Sequence, residues 1–165
     1  MTIERTIGKK APDFSLKDEK STIHTLSTLI GKKVALIFYP KPNTPGCTKE
    51  VCNLRDNYST LKDADIVILG ISAGSTEKMK SFKDNNSLNF PLLGATDQVL
   101  KNYQTTGDFW SLYLPKRHTF LIDEKGVLVA IIKNVEVKDH AQQILKEFKK
   151  LQNTTQKGSS ALPLK

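Results

Sequence analysis

The spacing of hydrophobic positions changes along the chain, and each change marks an element. Asp13 to Leu16 and Thr22 to Leu26 alternate apolar and polar residues around the polar run Lys17 to Ser21, which predicts an N-terminal β-hairpin. Val34 to Tyr39 is an unbroken apolar run closed by Pro40, and Ile66 to Ile71 is another, as expected of central strands covered on both faces. Between them Cys47, Val51, Leu54, Tyr58 and Leu61 recur at intervals of three and four, which predicts a crossover helix with Cys47 on its buried edge.

Further on, Ser75 is placed to cap a helix reaching Asn85 with Met79 and Phe82 inward, and a short helix is expected near Gln98 to Tyr103. His118 to Ile122 and Val127 to Ile132 flank Asp123-Glu124-Lys125-Gly126, a second hairpin by composition. The spacing of Ala141, Ile144, Leu145 and Phe148 predicts a last helix from about Val137 to Leu151. Together these elements make an α/β protein with a central mixed sheet flanked by helices, in one domain over 1–152. The polar tail 153–165 has no periodicity that would order it and is expected to be disordered.

Composition narrows the function classes. The 165 residues are 38% hydrophobic, enough for a core that needs no staples. Two cysteines cannot form a disulfide framework, and His24, His118 and His140 are too scattered to complete a zinc pattern, so no structural metal is expected. The beginning of the chain lacks the apolar run of a secretory signal, and no stretch is long enough to span a bilayer. A cytoplasmic protein with resting thiols is expected, and any disulfide would be transient or catalytic. The net charge of +8 suits phosphate-rich partners, but the basic residues are spread as short pairs (Lys9-Lys10, Lys32-Lys33, Lys149-Lys150), which favours a solvated surface over a nucleic-acid site. His140, in a Lys-Asp-His context, reads as a surface residue.

Candidate chemistry concentrates between Phe38 and Cys52, where a strand runs into a helix. Thr44 has N-cap chemistry, Pro45 fits the first helical position, and Gly46 lets the backbone approach a ligand. Cys47 then falls in the first turn, where unpaired N–H groups and the positive end of the helix dipole favour thiolate, the form that attacks. The same N–H groups, with the Thr44 hydroxyl, suit a peroxide held in line with the sulfur. Attack would give a sulfenic acid, which condenses with a nearby thiol, and Cys52 is the only other thiol in the chain. Five helical residues turn through about 500°, so the two side chains diverge by about 140°, and a disulfide requires the first part of the helix to unwind. Taken without their context, two cysteines five apart are more often small apolar residues packed in a helix, and the strand, Pro-Gly turn and helix start reverse that balance. No C-x-x-C pair is present, which argues against a thioredoxin-type reductase.

The segment YPKPNTPGCTKEVCNLRD contains Pro40, Thr44 and Cys47 in the spacing P-x-x-x-T-x-x-C. With this motif the chain resembles the peroxiredoxins, specifically the Q-type or bacterioferritin comigratory group, from APDFSL near residue 11 to KDHAQQIL near residue 145. The resemblance implies a thioredoxin-like fold with Cys47 as peroxidatic cysteine, Cys52 as resolving cysteine and Thr44 as a peroxide-binding hydroxyl. It also makes Arg117, in PKRHTFLID, the arginine that completes a pocket with Pro40 and Gly46. Glu50 matches a position that is often acidic and orients the arginine, but an exposed first-turn carboxylate reads the same way in sequence, and it stands outside the candidate catalytic set. His118 and the stretch 105–115 with Trp110 depart from the group's pattern, which leaves pocket shape and substrate preference open. The implied activity is reduction of hydrogen peroxide and organic hydroperoxides, with no cofactor, by a monomer recycled by thioredoxin or a similar dithiol donor. The competing reading is a redox-sensing binding protein whose helix unwinds on oxidation and engages a partner.

Overall fold

The computed structural model describes residues 3–73, 75–107 and 114–161, with side chains to residue 152. Among these, a five-stranded sheet has the order β5-β4-β3-β6-β7, built from β3 (Lys33–Phe38), β4 (Ile66–Ser72), β5 (Leu92–Gly94), β6 (His118–Ile122) and β7 (Leu128–Ile132). β3 pairs parallel with β4 and antiparallel with β6, so the sheet is mixed as expected. β1 (Ser15–Lys17) and β2 (Ile23–Thr25) form the separate antiparallel hairpin, with Ser15 opposite Thr25.

Successive side chains on a strand point to opposite faces, and β3 divides the core accordingly. Ala35, Ile37 and Tyr39 pack with Cys47, Val51, Leu54, Ala141 and Ile144. Val34, Leu36 and Phe38 pack on the other side with Phe14, Leu16, Val99, Tyr103 and Phe120. This two-sided burial is why the strand reads as a continuous apolar run.

The crossover stripe is carried by two helices, α1 (Pro45–Asp56) and α2 (Tyr58–Asp63), because the backbone leaves helical geometry at Asn57, with φ −107° and ψ 13°. Leu61 nevertheless reaches the core. Ser75 caps α3 (Thr76–Asn85) by accepting from Lys78 N–H at 3.2 Å. Thr96 caps α4 (Asp97–Asn102) through Val99 N–H. β5 lacks a separate sequence signal, since it is three residues long and held by β4 and by a single bridge from Leu93 to Asp18.

The last helix, α5 (His140–Ala161), starts later than expected and carries on past Leu151. The described backbone of α5 thus runs through Ala161, into the segment for which composition gives the expectation of disorder. Once a helix is nucleated and docked, each added residue gains a backbone hydrogen bond without needing an apolar face. Residues 162–165, and 108–113 with Trp110, lie outside the described residues. Among the described residues no helix is long and apolar enough to cross a membrane.

Candidate active site

The site forms where the C-terminal end of β3 turns into α1. The chain leaves Phe38 and Tyr39, reverses through Pro40 to Asn43, and enters the helix at Pro45. Asn43 supplies the reversal at φ +64°, a left-handed conformation that asparagine tolerates better than most side chains. Thr44 occupies the N-cap position in extended conformation, and its carbonyl accepts from Thr48 N–H at 2.8 Å. The Gly46 and Cys47 N–H groups precede that first intrahelical bond and are free of helical acceptors.

Thr44 differs from the expected cap in its side chain. The hydroxyl does not bond the helix N-terminus but donates to the Lys41 carbonyl at 3.0 Å. Its proton is thereby directed into the loop, leaving the oxygen lone pairs to accept from a ligand.

Cys47 is completely buried, and Arg117, in the segment entering β6, reaches it from the facing strand. Arg117 Nη2 donates to Cys47 Sγ at 3.2 Å and Nη1 to Glu50 Oε1 at 2.6 Å. Both partners hold the guanidinium in its charged form against its desolvation, the net effect being an upward shift. A Cβ at residue 46 would sit 3.2 Å from Arg117 Nη2, so glycine there makes room for the arginine.

Glu50 is the residue that sequence reasoning left undecided. It is fully buried, one helical turn after Cys47, and not an exposed first-turn carboxylate. Burial pushes its carboxyl up to about 7 despite the opposing charge and hydrogen bond of Arg117. Its Oε2 accepts no hydrogen bond and lies 3.6 Å from His140 Nε2.

His140 corrects the surface reading, since it too is completely buried. It begins α5, which packs against α1, so its ring turns inward to Thr119 Oγ1 at 2.7 Å and Gln143 Oε1 at 2.8 Å. Burial pulls its pKa down to about 4. A polar flanking sequence concealed this, because one residue at a helix start follows no periodic pattern. His118, also next to Arg117, is half-buried and is shifted downward by burial and by Lys116.

Cys52 lies on the same helix with partial exposure, away from the Cys47 pocket. Its Sγ donates to Asn86 Oδ1 at 3.5 Å, just beyond α3. Both cysteines are free thiols on an intact helix. Among the described residues no group of three or more His, Cys, Asp or Glu side chains is arranged to hold a metal ion.

The arrangement is a thiol at a helix start, beside a cation and open backbone donors, with a second thiol on the same helix. Residues 7–131 match the AhpC/TSA family. Peroxiredoxin Bcp of Bacillus subtilis is 40% identical over 154 residues, covering 90% of this chain and 97% of that one. Among solved structures, peroxiredoxin Q of Xylella fastidiosa matches with a TM-score of 0.80 and 28% identity, covering 87% of this chain and 94% of that one. The bacterioferritin comigratory protein of Xanthomonas campestris, whose structures concern alkyl peroxide reduction, matches with a TM-score of 0.76 and 26% identity over 82% of this chain and 90% of that one. The fold expected from sequence is thus the fold observed, and the chain belongs to the AhpC/TSA family as a peroxiredoxin of the Bcp or Q type, a thiol-dependent peroxidase.

Proposed function

We propose that Cys47 is the atom that reduces peroxide, with Arg117 and the start of α1 as its binding pocket. The observation that carries this reading is Arg117 Nη2 at 3.2 Å from a fully buried Cys47 sulfur. The Cys47 thiolate attacks one peroxide oxygen in line with the O–O bond. An S–O bond forms, the O–O bond breaks, and the departing oxygen takes a proton to leave as water or alcohol. Arg117 stabilises charge on the departing oxygen, while the Gly46 and Cys47 N–H groups and the Thr44 oxygen hold the substrate. Pro40 shapes the loop that carries Thr44.

The Cys47 sulfenic acid then condenses with the Cys52 thiol, forming an S–S bond and releasing water. Because Cys52 faces Asn86 and not Cys47, this step requires α1 to unwind locally. A thioredoxin-like dithiol returns the two electrons and two protons. Hydrogen peroxide and organic hydroperoxides are the proposed substrates, the latter supported by the alkyl peroxide reduction of the Xanthomonas relative. The proposed working form is a monomeric cytoplasmic domain over 1–152.

The deciding measurement is peroxide consumption coupled to thioredoxin, thioredoxin reductase and reduced nicotinamide cofactor. Wild type should turn over, Cys47→Ser should be inactive, and Cys52→Ser should lose the thioredoxin-coupled reaction. Turnover by Cys47→Ser would refute the assignment.

A further inference from the structure

Arg117 and Glu50 belong to the pocket, but what lies behind Glu50 serves no step described so far. A polar array with a buried centre runs from Cys47 through the half-buried Arg117 and the buried Glu50 to His140, then to Thr119 and the half-buried Gln143. Its proton positions can be assigned from the network. Gln143 Nε2 donates to the Asn134 carbonyl, so Gln143 Oε1 faces His140 Nδ1 and also accepts from Glu136 N–H. Nδ1 must therefore carry the ring proton. A neutral imidazole then has a bare Nε2, which accepts from the Thr119 hydroxyl and presents the same lone pair toward Glu50 Oε2.

Two acceptors thus face each other across 3.6 Å with no donor between them when Glu50 is ionised. A proton on Oε2 turns this contact of two acceptors into an attraction toward Nε2, whose lone pair it shares with the Thr119 hydroxyl. The pocket behind Glu50 is built to favour the neutral carboxyl, while Arg117 in front of it favours the carboxylate. The other titratable groups facing the pair are Cys47 on α1 and Tyr39 at the end of β3, whose phenol burial keeps protonated.

We propose that His140 is a positioning residue for the Cys47 site: its bare Nε2 sets the proton occupancy of Glu50, and through it how fully Arg117 is committed to the Cys47 sulfur. When Glu50 holds its proton, the guanidinium has one anionic partner, the thiolate. When the proton leaves for solvent, Arg117 is shared between two anions and offers less to sulfur and to peroxide. The inference rests on the assignment of Cys47 made above.

Infrared titration of the resting, reduced protein tests it directly, through the carbonyl stretch of a protonated carboxyl that Glu50→Gln removes. Wild type should show that band titrating near 7. In His140→Gln, a side-chain amide can donate to Oε2, and the midpoint should fall by about one unit or more. In Thr119→Val, the Nε2 lone pair is released wholly to Glu50, and the midpoint should rise. The rate of Cys47 oxidation by hydrogen peroxide should move its near-neutral inflection in step with each midpoint. Midpoints equal to wild type in both variants would overturn the proposal, as would a wild-type band that Glu50→Gln leaves in place. Should His140→Gln fail to fold, the upward shift in Thr119→Val decides alone. No peroxide enters the infrared experiment, so failure of the Cys47 assignment would appear only in turnover and stay distinguishable.

Discussion

Arg117 holds the Cys47 sulfur at 3.2 Å with one terminal nitrogen while the other is fixed by Glu50 at 2.6 Å. The planar fork of a guanidinium presents a separate, fixed nitrogen to each partner; a lysine offers one nitrogen on a flexible stem and fixes neither in the same way. Arg117→Lys is expected to lower the rate of peroxide reaction by about 10²-fold, the scale of losing one preorganised donor. Stopped-flow measurement with hydrogen peroxide checks this, and a rate close to wild type would contradict the role given to Arg117.

Gly46→Ala should act through the same arginine. Its Cβ would meet Nη2 at 3.2 Å, tighter than comfortable contact, and the guanidinium must shift by a few tenths of an ångström. We expect a lower peroxide rate with the melting temperature nearly unchanged, since residue 46 has helical neighbours and no positive φ. Equal losses of rate and stability would point to a folding defect instead.

Glu50 and His140 make opposite contributions to the pH dependence of stability. Glu50 has its pKa raised from 4.5 to about 7, so the folded state holds a proton that the unfolded state has lost. Its stabilising contribution is complete below about 4.5 and is lost as pH rises through 7. His140 is lowered from 6.5 to about 4, so its contribution is complete above 6.5 and is lost as pH falls toward 4. In Glu50→Gln only the histidine effect remains. The stability of wild type minus that of the variant should fall, by on the order of 3 kcal/mol, between the two Glu50 values. Urea unfolding across this range measures it, and a flat difference would refute the buried neutral carboxyl.

Asn86 restrains the second thiol. Its side chain accepts from Cys52 Sγ at 3.5 Å, and its own amide donates to the Phe82 carbonyl. Asn86→Ala removes the acceptor without touching the backbone carbonyl that receives Arg55 Nη1 at 2.7 Å. Disulfide formation after a peroxide pulse should speed up by about two- to fivefold, the value of one modest hydrogen bond. Rapid acid quench followed by mass analysis reads it, and an unchanged rate would mean that unwinding of α1 begins elsewhere.

The sequence by itself determined most of the elements and singled out the two cysteines as candidates. Val34 to Tyr39 and Ile66 to Ile71 are apolar throughout because their residues alternate between two covered faces, and that signal is local. Pro45, Gly46 and Cys47 announce a helix start with a thiol in its first turn for the same reason, since caps and prolines act over a few residues. Only the tertiary structure decided what surrounds that thiol. Arg117 lies 70 positions from Cys47 and is tied to it in sequence only by the family resemblance, and His140 joins Glu50 only because α5 packs on α1. Glu50 and His140 look like surface residues in sequence, since polar side chains usually stay in water unless a partner meets them inside. Here α1, β6 and α5 bring those partners together, and no local pattern along the chain encodes their meeting.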